Sequence, residues 1–177
     1  GLHTNGEKRY DESGEIASSG NVDYSLLEKL MENEYFRMKP PKSTGKEVFG
    51  AEMGDVLYRI VEQGKLSFED LVSTLTQFTV DSIVFSYQNF IFPIYDIHEF
   101  ILSGGGARNG EITRRLKQKM NDIRITLTDD YGIPAEAKEA VGFAILANET
   151  IMGNPGNLPS VTGAKKASPL GKVSICN

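Results

Sequence analysis

The order of secondary structure predicted for residues 98–153 constrains the fold more than any other feature of the sequence. The segment "HEFILSG" at residues 98–104 is a short apolar run ending in glycine, which is typical of a buried strand. A helical segment, "NGEITRRLKQKM", follows it, and "DIRITLTDD" at residues 122–130 then alternates apolar and polar side chains as a second strand does. Two strands joined through a helix form a right-handed crossover and a parallel pair. The sequence therefore predicts an α/β fold in which a short parallel sheet is packed by several long helices.

Two further helices and a connector are predicted before this unit. Residues 24–36, "YSLLEKLMENEYF", have the apolar spacing of a short amphipathic helix, and the prolines and glycine of residues 37–50 predict a non-helical connector. A long, mostly buried helix is predicted over residues 67–91. Its start is similar to a capping box, with Ser67 followed three residues later by Asp70, and Pro93 ends it.

The last predicted helix lies within residues 133–153. Pro134 is placed in its first turn and Gly153 just after its end. Residues 140–147, "AVGFAILA", contain no polar side chain through two turns, so this helix is predicted to be buried on all sides.

The whole chain, residues 1–177, is predicted to form a single domain, a size that supports a substantial core. Residues 1–23 are polar and rich in turn-forming residues, and they predict an irregular surface segment with at most a short helix at its start. Residues 154–177 predict a loop-like tail that packs back over the domain.

Charge and residue counts exclude several classes of function. A net charge of −5 argues against general nucleic-acid binding, which requires a basic surface. Two histidines, His3 and His98, make a multi-histidine metal site improbable, and no metal ligand is predicted. The single cysteine, Cys176, excludes an internal disulfide and fits a reducing compartment, so a cytoplasmic location is expected. The most apolar region, residues 71–94, is interrupted by polar residues and predicts a buried helix rather than a membrane span.

A run of three glycines, Gly104 to Gly106, lies between the first predicted strand and the helix after it. Glycine allows positive φ and close approach of a ligand to the main chain, and free N–H groups at a helix start favour an anion. A tight turn without a ligand is an equally good interpretation of the glycines alone. The pattern matches neither the dinucleotide fingerprint nor the P-loop.

The acidic residues of this region have two interpretations each, and the basic residues have one. Glu139 is either a solvated carboxylate at a helix start or a carboxylate that points into a cleft and binds sugar hydroxyls. Asp129 and Asp130 are read as a turn, and their alternative is a carboxylate pair or a metal-phosphate site. Four basic residues are predicted to form a solvated face near a helix end: Arg114, Arg115, Lys117 and Lys119.

Several segments together resemble one enzyme family. In chain order they are "YDESGEIASSGNV", "PPKSTGKEVF", "LSGGGARN", "TDDYGIPAEAKEAVGFAILA" and "NLPSVTGA". The chain is similar in these segments to the anhydro-N-acetylmuramic acid kinases, from about Tyr10 to Gly171. The resemblance implies the C-terminal lobe of a ribonuclease-H-like fold of the sugar kinase, actin and heat-shock ATPase superfamily.

The resemblance also implies an activity and a set of binding residues. Such enzymes use ATP, Mg²⁺ and water to open the 1,6-anhydro ring of the sugar and phosphorylate its 6-oxygen, in recycling of cell-wall sugars. By this resemblance, Glu139 would contact the anhydro sugar. Five residues would lie by the nucleotide: Ser103, Gly104, Gly105, Gly106 and Asn109.

The resemblance covers only the C-terminal half of such a kinase. Its Gly-Thr-Ser-type phosphate loop and its "DTGPGN"-type segment, which supplies the water-activating aspartate, do not occur here. No catalytic residue is therefore predicted in this chain, and the isolated chain is expected to lack kinase activity. Its expected partners are the missing N-terminal lobe and, as in related enzymes, a second copy in a homodimer. The alternative is a non-catalytic binding or oligomerisation module derived from the family, and a hydrolase with an aspartate pair has little support.

Overall fold

The computed structural model describes residues 10–174, in which eight α-helices and two β-strands follow one another. The first five helices precede both strands: α1 (Glu15–Ser19), α2 (Tyr24–Met31), α3 (Glu34–Arg37), α4 (Ala51–Glu62) and α5 (Phe68–Ser86). The remaining elements are β1 (Glu99–Leu102), α6 (Gly110–Lys119), β2 (Arg124–Leu127), α7 (Lys138–Met152) and α8 (Pro159–Thr162). The predicted α/β class with a short parallel sheet is confirmed.

The sheet consists of β1 and β2 alone within residues 10–174. The strands pair in parallel, with Glu99 opposite Arg124 and Leu102 opposite Leu127. Helix α6 makes the crossover between them, as the strand–helix–strand order predicts. Because both strands run in the same direction, the loops after β1 and β2 emerge at the same edge of the sheet.

Helix α5 is the central element of the core. The side chain of Ser67 accepts a hydrogen bond from the N–H of Asp70 at 3.0 Å, so the predicted start is confirmed. The carboxylate of Asp70 does not complete a capping box but accepts a hydrogen bond from the N–H of Asn21 at 2.6 Å. After Ser86 the helix continues as one π-helical turn to Ile91, which matches the predicted end before Pro93.

Two apolar clusters pack against different sides of α5. The C-terminal half of α5 packs with α6 and the sheet, around a group made of Val80, Val84, Tyr87, Leu116 and Met120. The second cluster joins α2, α3 and α5 through Leu27, Phe36 and Phe78. The rings of Phe36 and Phe78 meet edge to face at 5.6 Å between their centroids.

The N-terminal region differs from its prediction. Residues 12–19 are helical rather than irregular, and Ala17 is fully buried against the domain. The carboxylate of Asp11 accepts hydrogen bonds from the N–H groups of Ile16 at 2.8 Å and Ala17 at 3.1 Å, which stabilises this short helix at its start. Residues 1–9 lie outside the described part of the chain.

Two more local differences concern helix boundaries. The segment predicted as one helix over residues 24–36 is divided at Asn33, whose side chain accepts a hydrogen bond from the N–H of Tyr35 at 2.9 Å and so starts α3. Helix α4 was not predicted, although its apolar residues have helical spacing. The non-helical connector is confirmed from Met38 to Gly50.

Arg115 does not belong to a solvated basic face, so this part of the prediction is wrong. Its side chain is buried, and its Nε donates to Oε1 of Glu111 at 2.7 Å. Its other nitrogens donate to the carbonyl oxygen of Ser73 at 2.8 Å and to Oε1 of Gln77 at 3.2 Å. Burial is tolerated because the guanidinium is paired and most of its donors are satisfied.

Glu111 is the acidic partner in this network. Hydrogen bonds from Arg114 and, to a smaller extent, from Arg115 lower the pKa of the Glu111 carboxyl to about 2, against its ordinary 4.5, although burial opposes the shift. A carboxyl whose pKa is lower in the folded state stabilises the fold when it is ionised.

Acid should therefore remove the stabilisation that Glu111 provides. This contribution is complete above pH 4.5 and is lost as the pH falls to about 2. Urea unfolding of the protein and of Glu111→Gln, measured across this interval, checks the expectation. The difference in free energy of unfolding between the two should shrink as the pH falls, and a constant difference would contradict the assignment.

Helix α7 is exposed, which contradicts the prediction that it is buried on all sides. None of its residues is buried, and 71% of Phe143 is exposed. Its start also differs, since Pro134 belongs to a turn closed by the Ala137 N–H on the Pro134 carbonyl, and the helix begins at Lys138. Gly153 ends it with φ 74°, as predicted. The apolar pattern was read correctly, but no helix or strand of the described chain packs along α7.

The described tail after α7, residues 153–174, is mostly loop, with α8 as a single short helix. It packs back onto α7 at Leu170, whose carbonyl oxygen accepts from the hydroxyl of Thr150, and the side chains of Leu146 and Leu170 both border Gly156. Within residues 10–174, no helix is both long and apolar enough to cross a bilayer.

Candidate functional site

The glycine loop, residues 103–106, lies at the carboxyl end of β1, where ligands bind in open α/β sheets. Gly104 has φ 79°, and its N–H donates to the carbonyl oxygen of Ala135 at 3.2 Å. Gly105 begins a short 3₁₀ turn that ends at Arg108. A Cβ atom added at Gly104, Gly105 or Gly106 would meet no heavy atom within 4 Å, so open space borders the backbone of all three.

The backbone N–H groups in and after this loop differ in whether they are free to donate to a ligand. The side-chain oxygen of Asn109 accepts hydrogen bonds from the N–H groups of Glu111 and Ile112, both at 3.1 Å. These two N–H groups at the start of α6 are therefore satisfied within the protein. No acceptor among the described residues pairs with the N–H groups of Gly105 and Gly106, so both can donate to a ligand.

A cavity of about 720 Å³ lies between the glycine loop and the N-terminal segment. The loop side contributes Gly105, Gly106, Arg108, Asn109, Ile112 and Glu136. The opposite wall is formed by Tyr10, Asp11, Glu12 and Ser13. Of the five predicted nucleotide-binding residues, three line the cavity: Gly105, Gly106 and Asn109. Ser103 and Gly104 precede them in the chain and do not line it.

The two walls of the cavity touch at Gly14. This residue has φ 81°, and a Cβ atom there would lie 2.5 Å from Oδ1 of Asn109 and 2.9 Å from the N of Glu111. Ser13, next to it, is the one described non-glycine residue with positive φ (55°). Only glycine at position 14 lets this turn reach the start of α6 so closely.

Sequence reasoning did not identify the N-terminal wall as part of the site. The two walls are far apart in the sequence, so no local pattern relates them. The available signal was the segment "YDESGE", which the family resemblance singled out.

Asp129 and Asp130 have structural roles, so their interpretation as a turn is confirmed. Oδ2 of Asp130 accepts a hydrogen bond from the N–H of Leu127 at 2.9 Å. Asp129 accepts from Nη2 of Arg108 at 3.0 Å and from the N–H of Ala135 at 3.2 Å. Asp129 therefore connects the turn after β2 with the glycine loop and the segment before α7.

Glu139 lies in the first turn of α7 and is exposed. The residues that line the cavity do not include it. The structure thus separates the predicted sugar-binding carboxylate from the cavity at the glycine loop, although Ala135 joins the segment before α7 to that loop.

The described residues do not offer a metal centre. No group of three or more His, Cys, Asp or Glu side chains in residues 10–174 could hold a metal ion. Two carboxylates beside the glycine loop, on Asp129 and Glu136, pair with Arg108.

Comparison with known proteins places the chain in a family. The family model described as anhydro-N-acetylmuramic acid kinase matches residues 2–175. The chain belongs to the anhydro-N-acetylmuramic acid kinase family. The resemblance found from five short motifs is therefore confirmed over almost the whole sequence.

Several bacterial relatives are anhydro-N-acetylmuramic acid kinases. An anhydro-N-acetylmuramic acid kinase of Caldanaerobacter subterraneus is 42% identical over 97% of this chain, one of Bacillus cereus strain AH187 is 46% identical over 93%, and one of Salinibacter ruber is 43% identical over 94%. The chain spans about 43% of the length of the first two relatives and 42% of the third. The expectation that it corresponds to only part of such a protein is confirmed.

Proposed function

We propose that this chain forms the nucleotide- and sugar-binding part of an ATP-dependent anhydro-N-acetylmuramic acid kinase. The observation that carries the proposal is the glycine loop at the end of β1, where open space and two available N–H groups border a cavity. The sequence family supports ATP as the nucleotide. The finer assignment of the fold, to the C-terminal lobe of a ribonuclease-H-like sugar kinase, belongs to the same proposal.

The described residues have distinct roles in this proposal. Gly105 and Gly106 donate main-chain N–H groups to the nucleotide, and the missing side chains let it approach closely. Asn109 holds the start of α6 in place, and Asp129 fixes Arg108 beside the loop. The cavity also carries Glu12 and Glu136, and such carboxylates suit the hydroxyl groups of a ribose better than phosphates.

The complete reaction needs parts that these residues do not supply. The proposed reaction uses water to open the 1,6-anhydro ring and moves a phosphoryl group from ATP to the 6-oxygen, giving N-acetylmuramic acid 6-phosphate and ADP. Glu139 is proposed to bind the sugar. The described residues do not fit a Mg²⁺ site, so we assign no step of the reaction to a metal held by them. A cytoplasmic location and a role in cell-wall recycling go with this proposal.

Nucleotide binding by the chain itself tests the proposal. Calorimetric titration should show that ADP binds and that Gly105→Leu weakens its affinity about tenfold or more, because the new side chain fills the space at the loop. Gly54→Leu in α4 is the control, since position 54 is equally open and lies outside the cavity. Equal ADP affinity of both variants would contradict the site. Absence of any binding would favour the alternative, a non-catalytic binding or oligomerisation module.

A further inference from the structure

A second cavity, of about 600 Å³, lies between α6 and the strand β2. Its volume is within the usual range of small-molecule sites. Among the described residues, Arg108 is the one that lines both this cavity and the cavity at the glycine loop. Spacings of three, four and seven residues return to the same side of a helix. One side of α6 therefore forms a wall, with Gly110, Thr113, Arg114 and Lys117.

The backbone of β2 supplies one free donor to the opposite wall. The N–H of Arg124 donates to the carbonyl oxygen of His98 at 3.0 Å and so points toward β1. Because successive residues of a strand bond on opposite sides, the N–H of Ile125 points to the outer edge, which no described strand pairs. The next N–H on that edge, of Leu127, already donates to Oδ2 of Asp130 at 2.9 Å. An added strand would therefore find a single donor, whereas one oxygen of a small ligand needs no more.

Two guanidinium groups beside this donor keep part of their bonding capacity. Nη2 of Arg108 donates to Asp129 at 3.0 Å, and its Nε lies 3.6 Å from Glu136. Arg114 binds Glu111 through Nε and Nη2. In the described chain each guanidinium thus keeps its Nη1 for a further acceptor.

Lys117 adds a cation that has no carboxylate partner among the described residues. The neighbouring Lys119, by contrast, pairs with Asp81 at 2.6 Å. One carboxylate lines the cavity, that of Asp130, and it accepts the N–H of Leu127. The cavity therefore offers several donors and three cations against one acidic side chain, which favours an anion with more than one oxygen.

The rest of the lining is apolar and includes Ala107, Ile125 and Leu127. Apolar walls with a few convergent polar groups are typical of sites for organic molecules. A bare inorganic anion would leave this apolar surface in contact with water, whereas the organic part of an ester would cover it.

We propose that the cavity between α6 and β2 is a second ligand site, which binds a phosphate monoester of a small organic molecule. The phosphate accepts from the N–H of Ile125, from Nζ of Lys117 and from the remaining donors of the two arginines. A phosphate dianion suits this set better than a carboxylate, because it has three terminal oxygens and a larger charge. The organic part lies against Ala107 and Leu127. The proposal does not rest on nucleotide binding at the glycine loop.

Titration of the ¹⁵N-labelled chain with phenyl phosphate, followed by NMR, tests the site. The amide signal of Ile125 should shift in a saturable way as its N–H gains an acceptor. Lys117→Glu should weaken the affinity roughly tenfold or more, the usual effect of losing a hydrogen bond to a charged group. Lys65→Glu is the matched control, since Lys65 is exposed and lies outside both cavities, and it should change the affinity less than twofold.

Three further titrations define the ligand and the place where it binds. Inorganic phosphate and benzoate should each bind at least fivefold more weakly than phenyl phosphate, because one lacks the apolar part and the other lacks the dianion. The affinity of Gly105→Leu for phenyl phosphate should equal that of the unchanged chain, since Gly105 does not line this cavity.

Several outcomes would overturn the proposal. An Ile125 signal that does not shift, or equal losses of affinity in the two lysine variants, would remove the site. Equal affinity for inorganic phosphate or for benzoate would overturn the assignment to a phosphate ester. Weaker binding by Gly105→Leu would place the ligand at the glycine loop instead. A chain that binds phenyl phosphate at Ile125 but does not bind ADP would contradict the proposed function and leave this inference standing.

Discussion

Replacement of Arg115 by alanine should lower the free energy of unfolding by roughly 3–5 kcal/mol, the usual effect of removing one partner from a buried ion pair. The guanidinium of Arg115 joins three segments that are far apart in the sequence. It contacts the carbonyl oxygen of Ala17 in α1, both oxygens of Ser73 in α5 and the carboxylate of Glu111 in α6. Alanine would remove this buried donor from Ala17 and Ser73 and leave the Glu111 carboxylate with Arg114 as its side-chain partner.

Arg114→Ala is the matched control for this prediction. Arg114 donates to the same carboxylate of Glu111, but 53% of its side chain is exposed. Water can replace the Arg114 side chain, so Arg114→Ala should lower the free energy of unfolding by about 1 kcal/mol or less. Urea unfolding followed by circular dichroism measures both variants. Equal losses of unfolding free energy in the two variants would show that the burial of Arg115 and its contacts with Ala17 and Ser73 add nothing to stability.

The second large effect is expected at Gly20, where the chain after α1 passes against the start of α5. A Cβ atom at position 20 would lie 2.1 Å from the carbonyl oxygen of Glu69. The following hydrogen bonds, from Asn21 to Asp70 and from Asp23 to Thr74, hold the two backbones at this distance. Gly20→Ala should therefore lower the free energy of unfolding by about 3 kcal/mol, because backbone must move.

Gly54→Ala provides the comparison for Gly20→Ala. Position 54 lies inside α4 with no heavy atom within 4 Å of an added Cβ, so alanine should raise stability by about 0.5–1 kcal/mol through its helix propensity. Thermal and urea unfolding of the two variants should thus change in opposite directions. A stabilising Gly20→Ala would show that the close approach is not part of the fold in solution.

The features that could be predicted from the sequence are those encoded locally. The parallel pair follows from the apolar runs around β1 and β2 and the helical segment between them. The start of α5 follows from Ser67, and the end of α7 follows from Gly153. In each case the residues that determine the structure lie within a few positions of it.

The features that could not be predicted depend on contacts between distant segments. Arg115 lies in a run of basic residues, and nothing in that run distinguishes it from Arg114. Its burial depends on Ser73 and Gln77, which α5 places opposite it. The N-terminal wall of the cavity depends likewise on Gly14 meeting Asn109. The expected burial of α7 was wrong for a different reason, since an apolar pattern shows that a helix can be buried but does not show which element covers it.

The contact between Gly14 and Asn109 has a consequence for how the cavity responds to a ligand. The N-terminal wall is a separate short segment, held by its contacts with α5 and α6 rather than by the sheet. A ligand that touches both walls adds to the free energy that keeps this segment in place. Loosening of the segment reduces the binding free energy of the ligand by the same amount. Order in residues 10–19 and occupancy of the glycine loop are therefore two aspects of one equilibrium.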